Sequence, residues 1–216
     1  MFEEALEIHH YLPIRKENTE EEYITHLWHA VMVLDSDNEA AQPFMIMPLH
    51  LLFMLALQYK ALRIRRELSN DYSLAFTLRH LKNHNELSNP TSVFDFSLLS
   101  ERTLPDLFRL IGSDELLIKK IKKLIDYRND NLAHANGGIA RDVGSIIEEY
   151  LDCLRALQKN FLKLNDVVAD KFKLEMTADD LPSEFIESRL LGGQLCQADF
   201  ENGQLKDIFG AVGSYM

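Results

Sequence analysis

Apolar residues recur at helical intervals along most of this chain. Between residues 19 and 34 they are Ile24, Leu27, Trp28, Val31 and Leu34. This spacing places them on one face and predicts an amphipathic helix. The first half of residues 48–68 is apolar on every face, which predicts the central, buried helix of the protein.

The second half of that central segment carries three arginines, Arg63, Arg65 and Arg66. Cations are favourable near the C-terminus of a helix, so we interpret these residues as a solvated helix end. An RNA contact is the alternative, because clustered arginines attract phosphate.

Further helical patterns cover residues 72–82, 104–111, 115–127 and 140–171. The last has its apolar face at Ile146, Tyr150, Leu154, Leu157, Phe161 and Leu164. Residues 1–18 and the Asn- and Ser-rich residues 83–103 are expected to be irregular. No useful stretch alternates apolar and polar residues as a strand does. The sequence predicts an all-α, up-and-down-like bundle of roughly five or six helices over residues 19–175, with an N-terminal extension, residues 1–18, and a peripheral C-terminal extension, residues 176–216.

The chain is acidic, with a net charge of −11. This charge opposes a broad grip on nucleic acid, so any RNA chemistry needs a local site. Cys153 and Cys196 lie far apart in a chain without a secretory signal, which predicts reduced thiols in a cytoplasmic protein. The most apolar run, residues 43–57, is shorter than the roughly 18 residues of a membrane span, so no membrane partner is expected.

Polar and basic residues gather where the helix over residues 115–127 ends. Arg128 continues the apolar face of that helix, whose members are Leu117, Ile121, Leu124 and Ile125. An arginine on an apolar face is costly unless it is paired or lines a cleft. Asn129 follows directly, and His134 comes after five intervening residues. Arg128 and His134 can converge if the helix ends or bends near Leu132, or if a second subunit supplies part of the site.

The string Tyr-Arg-Asn-Asp-Asn-Leu-Ala-His at residues 127–134 resembles the motif of the HEPN superfamily. Those proteins are α-helical bundles, usually dimers, with an Arg, a polar residue and, several positions on, a His. The resemblance implies a metal-independent endoribonuclease of the toxin or abortive-infection type, which forms a homodimer and is restrained by an antitoxin or inhibitor protein. It implies that His134 moves a proton, Arg128 holds the phosphate of an RNA substrate and Asn129 orients the substrate or the His. No cofactor is expected, and no spacing typical of metal ligands is found.

Weaker candidates stand beside this motif. Arg79 and His84 form a second Arg-His pair with a polar residue after the Arg, but they lead into a predicted loop, and Asn131 is a further secondary candidate. Weak RNA-binding candidates, which we interpret first as a solvated face, are Lys119, Lys120 and Lys123. The rival function is a non-catalytic HEPN-like helical module for interaction or nucleotide binding, which the acidic charge favours.

Overall fold

A computed structural model of the protein describes residues 3–14, 18–35, 41–79, 87–130, 142–176, 195–201 and 205. For residues 3, 18, 78, 79 and 171–176 it describes the backbone alone. The longer elements are α1 (Glu3–Glu7), α2 (Asn18–Leu34), α3 (Ile46–Glu67), α4 (Ser69–Arg79), α5 (Glu115–Arg128) and α6 (Val143–Met176). Short 3₁₀ helices cover Ile8–Tyr11, Gln42–Met45, Val93–Leu98, Leu104–Ile111 and Gln197–Phe200. The predicted all-α bundle is confirmed.

α3 lies at the centre of the bundle and packs against α2, α4, α6 and the 3₁₀ helix Leu104–Ile111. Its first half is buried on nearly all sides, as the apolar pattern predicted, and burial continues to Ile64. By length and composition, Gln42–Glu67 is apolar enough to cross a membrane, but 83% of its most apolar window is buried inside the protein. An apolar helix covered in this way by its own chain is consistent with a soluble protein.

The N-terminal residues differ from the irregular structure predicted for residues 1–18, because α1 and the 3₁₀ helix Ile8–Tyr11 lie within them. Ala5 and Ile8 belong to the main hydrophobic core. The reason is that two very short helices offer too few turns for their periodicity to stand out in the sequence.

A break in the helical structure and a helix cap precede α5. Gly112 has a φ of 81°, in the left-handed region that favours glycine. The side chain of Asp114 accepts a hydrogen bond from the Leu117 N–H at 2.7 Å, which satisfies one of the free N–H groups of the first turn. These two residues fix where α5 begins and therefore which of its side chains point inward.

The predicted loop over residues 83–103 contains the 3₁₀ helix Val93–Leu98 within its described part. Ser92 and Asp95 form a capping box at the start of this helix. Two short turns with few buried side chains are too brief for a periodic signal, which explains why the loop prediction missed this helix.

Residues 195–201 belong to the predicted peripheral extension, but they pack against the bundle. Cys196 lies in the main hydrophobic core and forms an isolated antiparallel bridge with Pro13. The Ile14 N–H also donates to the Leu195 carbonyl at 2.9 Å. The segment therefore holds the N-terminal residues and the bundle together.

Candidate functional site

Arg128 ends α5 and points toward the interior of the bundle. The residues that precede it on the buried side of α5 are Ile118, Ile121, Leu124 and Ile125. The Arg128 side chain is 14% exposed, so the inward direction predicted from the apolar face is observed. Asn129 follows in helical conformation, with φ −61° and ψ −46°, and is half-buried.

The partner of Arg128 is Glu101, in the turn before the 3₁₀ helix Leu104–Ile111. Arg128 Nη2 donates a hydrogen bond to Glu101 Oε2, and the two groups form an ion pair. Arg128 Nε is buried and has no hydrogen-bond partner in the part of the chain that the structure describes. Among the described residues, Glu101 Oε2 is the hydrogen-bond acceptor of Nη2, and Nη1 has no acceptor.

His50 of α3 lies beside this ion pair and is fully buried. Its Nε2 is 4.0 Å from Glu101 Oε2, and its Nδ1 is 3.0 Å from the Tyr150 hydroxyl of α6. Burial, and after it the charge of Arg128, lowers the pKa of His50 to about 3, so the ring is neutral near pH 7. The neighbouring carboxylate favours hydrogen on Nε2, which leaves Nδ1 to accept a hydrogen bond from the Tyr150 hydroxyl.

This cluster of Arg128, Glu101, His50 and Tyr150, the Arg128 cluster, can bind an anion but is poorly suited to move a proton. The Arg128 guanidinium can donate to a phosphate or carboxylate oxygen. His50 does not serve as a general base at neutral pH, because its pKa is about 3 and its side chain is 0% exposed. Acid–base chemistry at this place therefore requires a group from outside the cluster.

Several residues of the predicted site cannot be placed against this geometry. His134, Asn131 and His84 lie outside the described residues. Arg79 is the last residue of α4, where the backbone alone is described. The structure thus positions Arg128 and Asn129, and the convergence of Arg128 with His134 stays a prediction.

The lysines of α5 lie on its outer faces. Lys119 and Lys123 are exposed. Lys120 Nζ lies 3.0 Å from Asp152 Oδ2 and so links α5 to α6. These positions fit the solvated face that the sequence indicated, and contact with RNA stays a prediction for all three lysines.

Arg63 corrects the interpretation of the three arginines as a solvated helix end. It is 1% exposed, whereas Arg66 is exposed as expected. Arg63 Nη1 donates to Asp199 Oδ1 at 2.8 Å, and Nη2 donates to Asn165 Oδ1. The interpretation was wrong for Arg63 because its partners come from α6 and from the C-terminal segment, which a local pattern cannot reveal.

A second polar cluster surrounds Arg63. Lys60 Nζ donates to Gln158 Oε1 at 2.6 Å and lies 4.6 Å from the centre of the Phe161 ring. Gln158 Nε2 in turn donates to Asp199 Oδ1 at 2.7 Å. Burial alone would raise the pKa of Asp199, but Arg63, Lys60 and the hydrogen bonds to its carboxylate hold the pKa well below the usual range. Asp199 is therefore a buried, charged anchor for the C-terminal segment.

Sequence reasoning missed Glu101, His50 and Tyr150 as neighbours of Arg128. His50 carried a usable signal, since a histidine within a segment that is apolar on all faces must find a buried polar partner. Tyr150 was predicted as a core residue, which it is, but not as the partner of a histidine. Glu101 carried no local signal, because it lies in a short turn next to other polar residues.

Comparisons of the chain with protein-family models, with curated proteins and with solved structures gave no match. The helical character of the protein is established by its own structure. The resemblance to the HEPN superfamily rests on the residues of the motif.

Proposed function

We propose that this protein is a metal-independent endoribonuclease of the toxin or abortive-infection type. The observation that carries the proposal is the inward-pointing Arg128 at the end of α5, which is 14% exposed and donates from Nη2 to Glu101. Asn129 follows it directly, and His134 follows after five intervening residues. This order of residues is the one shared with the HEPN motif.

The proposed reaction is attack of an RNA 2′-hydroxyl on the adjacent phosphodiester. The 2′-oxygen forms a bond to phosphorus and the bond to the 5′-oxygen breaks, which leaves a 2′,3′-cyclic phosphate and a 5′-hydroxyl. His134 removes or delivers the proton as general base or acid. Arg128 donates to the phosphoryl oxygens, where negative charge develops, and Asn129 orients the substrate or His134.

Two copies of the chain would share one cleft, with Arg128 and His134 contributed by each. The net charge of −11 makes a broad RNA-binding surface unfavourable, so the substrate is held locally at this cleft. Lys119 and Lys123 are exposed on the same helix and are the nearest candidates for additional phosphate contacts. An antitoxin or inhibitor protein in the cytoplasm would then restrain the activity.

The alternative is a non-catalytic HEPN-like module for interaction or nucleotide binding. The ion pair between Arg128 and Glu101 favours it, because a carboxylate of the same chain already neutralises the guanidinium. In that case Arg128 holds the end of α5 in place and no substrate is needed to explain its position.

A cleavage assay on the purified protein distinguishes the two functions. RNA is incubated in the presence of a chelator, and the product ends are analysed for a cyclic phosphate and a 5′-hydroxyl. Replacing Arg128 by Ala should reduce the rate by about 10² to 10³, the usual effect of losing a group that stabilises transition-state charge. His134→Ala should abolish cleavage, and RNA with a 2′-deoxy nucleotide at the cleaved position should resist it.

Matched controls are available on the surface of the same chain. Arg109 pairs with Asp106 and Glu115 and is 42% exposed, so Arg109→Ala removes an arginine away from the Arg128 cluster. His29 is exposed on α2, so His29→Ala removes a histidine there. Both controls should cleave at the wild-type rate. A His134→Ala variant that cleaves normally would end the catalytic assignment of that residue, and a wild-type protein without activity would favour the interaction module.

A further inference from the structure

We propose that Glu101 is a positioning residue, which sets the orientation of the Arg128 guanidinium toward the phosphate. The inference rests on the proposed function, because the phosphate in question is that of the RNA substrate. It adds a residue that lies outside the Arg-polar-His motif and 27 positions from Arg128 in the chain.

The contacts of Arg128 fix the direction in which it can bind. Glu101 holds Nη2, and Nε is enclosed without a partner among the described residues. A guanidinium is planar and its donors form a rigid fork, so a hydrogen bond to one terminal nitrogen fixes the plane and direction of the whole group. A phosphate that binds Arg128 would therefore meet the guanidinium in the orientation that Glu101 sets.

Glu101 also has a buried neighbour, His50, although the described residues show no hydrogen bond from His50 Nε2. His50 Nε2 lies 4.0 Å from Glu101 Oε2, and His50 Nδ1 is 3.0 Å from the Tyr150 hydroxyl. The Phe53 ring stacks on Tyr150 with a distance of 4.6 Å between ring centres. Buried rings of α3 and α6, joined to each other by a hydrogen bond, thus lie beside the residue of the turn that contacts α5. A residue that lies against such rings is held more precisely than one on an exposed loop.

The charge of Glu101 has two opposite effects on an RNA substrate. Its negative charge lies next to the phosphate and weakens binding, whereas its hydrogen bond keeps Arg128 in the productive orientation. Removal of the charge should therefore leave RNA affinity equal or tighter, while the rate of the chemical step falls. A residue that merely stabilises the fold would not produce this separation of binding from catalysis.

The test is the Glu101→Gln variant of the full chain, in which the side chain keeps its length and loses its charge. We expect kcat to fall by about tenfold or more, since small displacements of a catalytic group are costly. The Kd for a non-cleavable 2′-deoxy analogue of the RNA should be unchanged or lower. Glu101→Asp keeps the charge, but its carboxylate is withdrawn by one methylene. Its kcat should lie between those of the wild type and Glu101→Gln, and its Kd should match that of the wild type.

Asp126→Asn is the matched control, because Asp126 also lies near the end of α5 and pairs there with Arg102. Asp126 is 34% exposed and Arg102 is 57% exposed, so this variant loses the same charge without touching Arg128. Its kcat and Kd should stay at the wild-type values. Equal losses in Asp126→Asn and Glu101→Gln would overturn the proposal, as would a folded Glu101→Gln variant with a normal kcat.

A spectroscopic measurement separates this inference from the proposed function. The Nε–Hε signal of Arg128 is assigned by its absence in Arg128→Lys and is then compared between wild type and Glu101→Gln. In Glu101→Gln we expect a changed chemical shift of this signal and faster exchange of the Hε hydrogen with water. In Asp126→Asn the signal should be unchanged. If the wild type does not cleave RNA but this signal responds, the ribonuclease proposal fails and Glu101 still positions Arg128. An unchanged Arg128 signal in Glu101→Gln overturns the positioning role.

Discussion

Arg63 donates a hydrogen bond to Asp199 at 2.8 Å and so joins two residues that are 136 positions apart in the chain. Both side chains are buried, at 2% and 1% exposure. The pair lies where α3 meets the C-terminal segment, and Gln158 of α6 donates to the same Asp199 oxygen. Removing one member of a buried ion pair leaves the charge of the other member buried without compensation. Single substitutions in this pair should therefore weaken the attachment of residues 195–201 to the bundle.

Replacing Asp199 by Ala should reduce the free energy of unfolding by about 3–5 kcal/mol, because it leaves Arg63 charged and unpaired in the interior. The measurement is urea denaturation followed by circular dichroism. Glu201→Ala is the control, since Glu201 is 53% exposed and its nearest partner, His10, is 3.9 Å away. The double variant Arg63→Met with Asp199→Leu should lose less stability than Asp199→Ala alone. Equal stability of Asp199→Ala and wild type would contradict the anchoring role.

His50 should make the protein less stable as the pH falls from 7 to 5. Its pKa is lowered from 6.5 to about 3 in the folded state, so the unfolded chain takes up the proton first. The contribution of His50 to the free energy of unfolding is therefore present above pH 6.5, the pKa of histidine in the unfolded chain. It is lost as the pH falls below that value, by about 2 kcal/mol between pH 7 and pH 5.

The pH effect is checked by urea denaturation at both pH values for wild type and for His50→Gln, whose side chain does not titrate. The variant should lose less stability between pH 7 and pH 5 than the wild type does. His29→Gln, a substitution at an exposed position of α2, should follow the wild type. Parallel pH curves for wild type and His50→Gln would show that His50 is not held neutral in the fold.

Both cysteines should be unreactive in the native protein. Cys153 and Cys196 are free and buried, and burial raises the pKa of each thiol to about 12. Titration with Ellman's reagent should give almost no fast reaction in buffer and two thiols per chain in denaturant. Cys153→Ser and Cys196→Ser identify which thiol reacts. A rapid reaction of Cys196 under native conditions would indicate that residues 195–201 detach from the bundle in solution.

The protein should form a homodimer, because the proposed cleft is shared between two subunits. Sedimentation equilibrium at micromolar concentration should therefore give a mass twice the 24.9 kDa of the chain. Arg128→Ala should remain a dimer while it loses activity, since the substitution removes a charge at the site and no large apolar contact. A monomer mass for an active wild type would count against a site composed from two chains.

Much of the fold could be predicted because helix formation depends on neighbours three and four positions away. The apolar face of α6, with Ile146, Tyr150 and Leu157 among its members, is buried as its spacing predicted. The predicted start of a helix at residue 115 is confirmed, and Asp114 caps it within one turn. α1 was not predicted, because its five residues are too few to show helical periodicity.

The sequence by itself determined the helical class, the position of the main helices and the inward direction of Arg128, since each follows from local spacing. The tertiary structure decided that Glu101 and His50 surround Arg128 and that Arg63 is buried against Asp199. Glu101 lies 27 positions from Arg128, and His50 lies 100 positions from Tyr150. Ion pairs and hydrogen bonds over such separations depend on which helices pack together. The periodic pattern within one helix does not determine that packing.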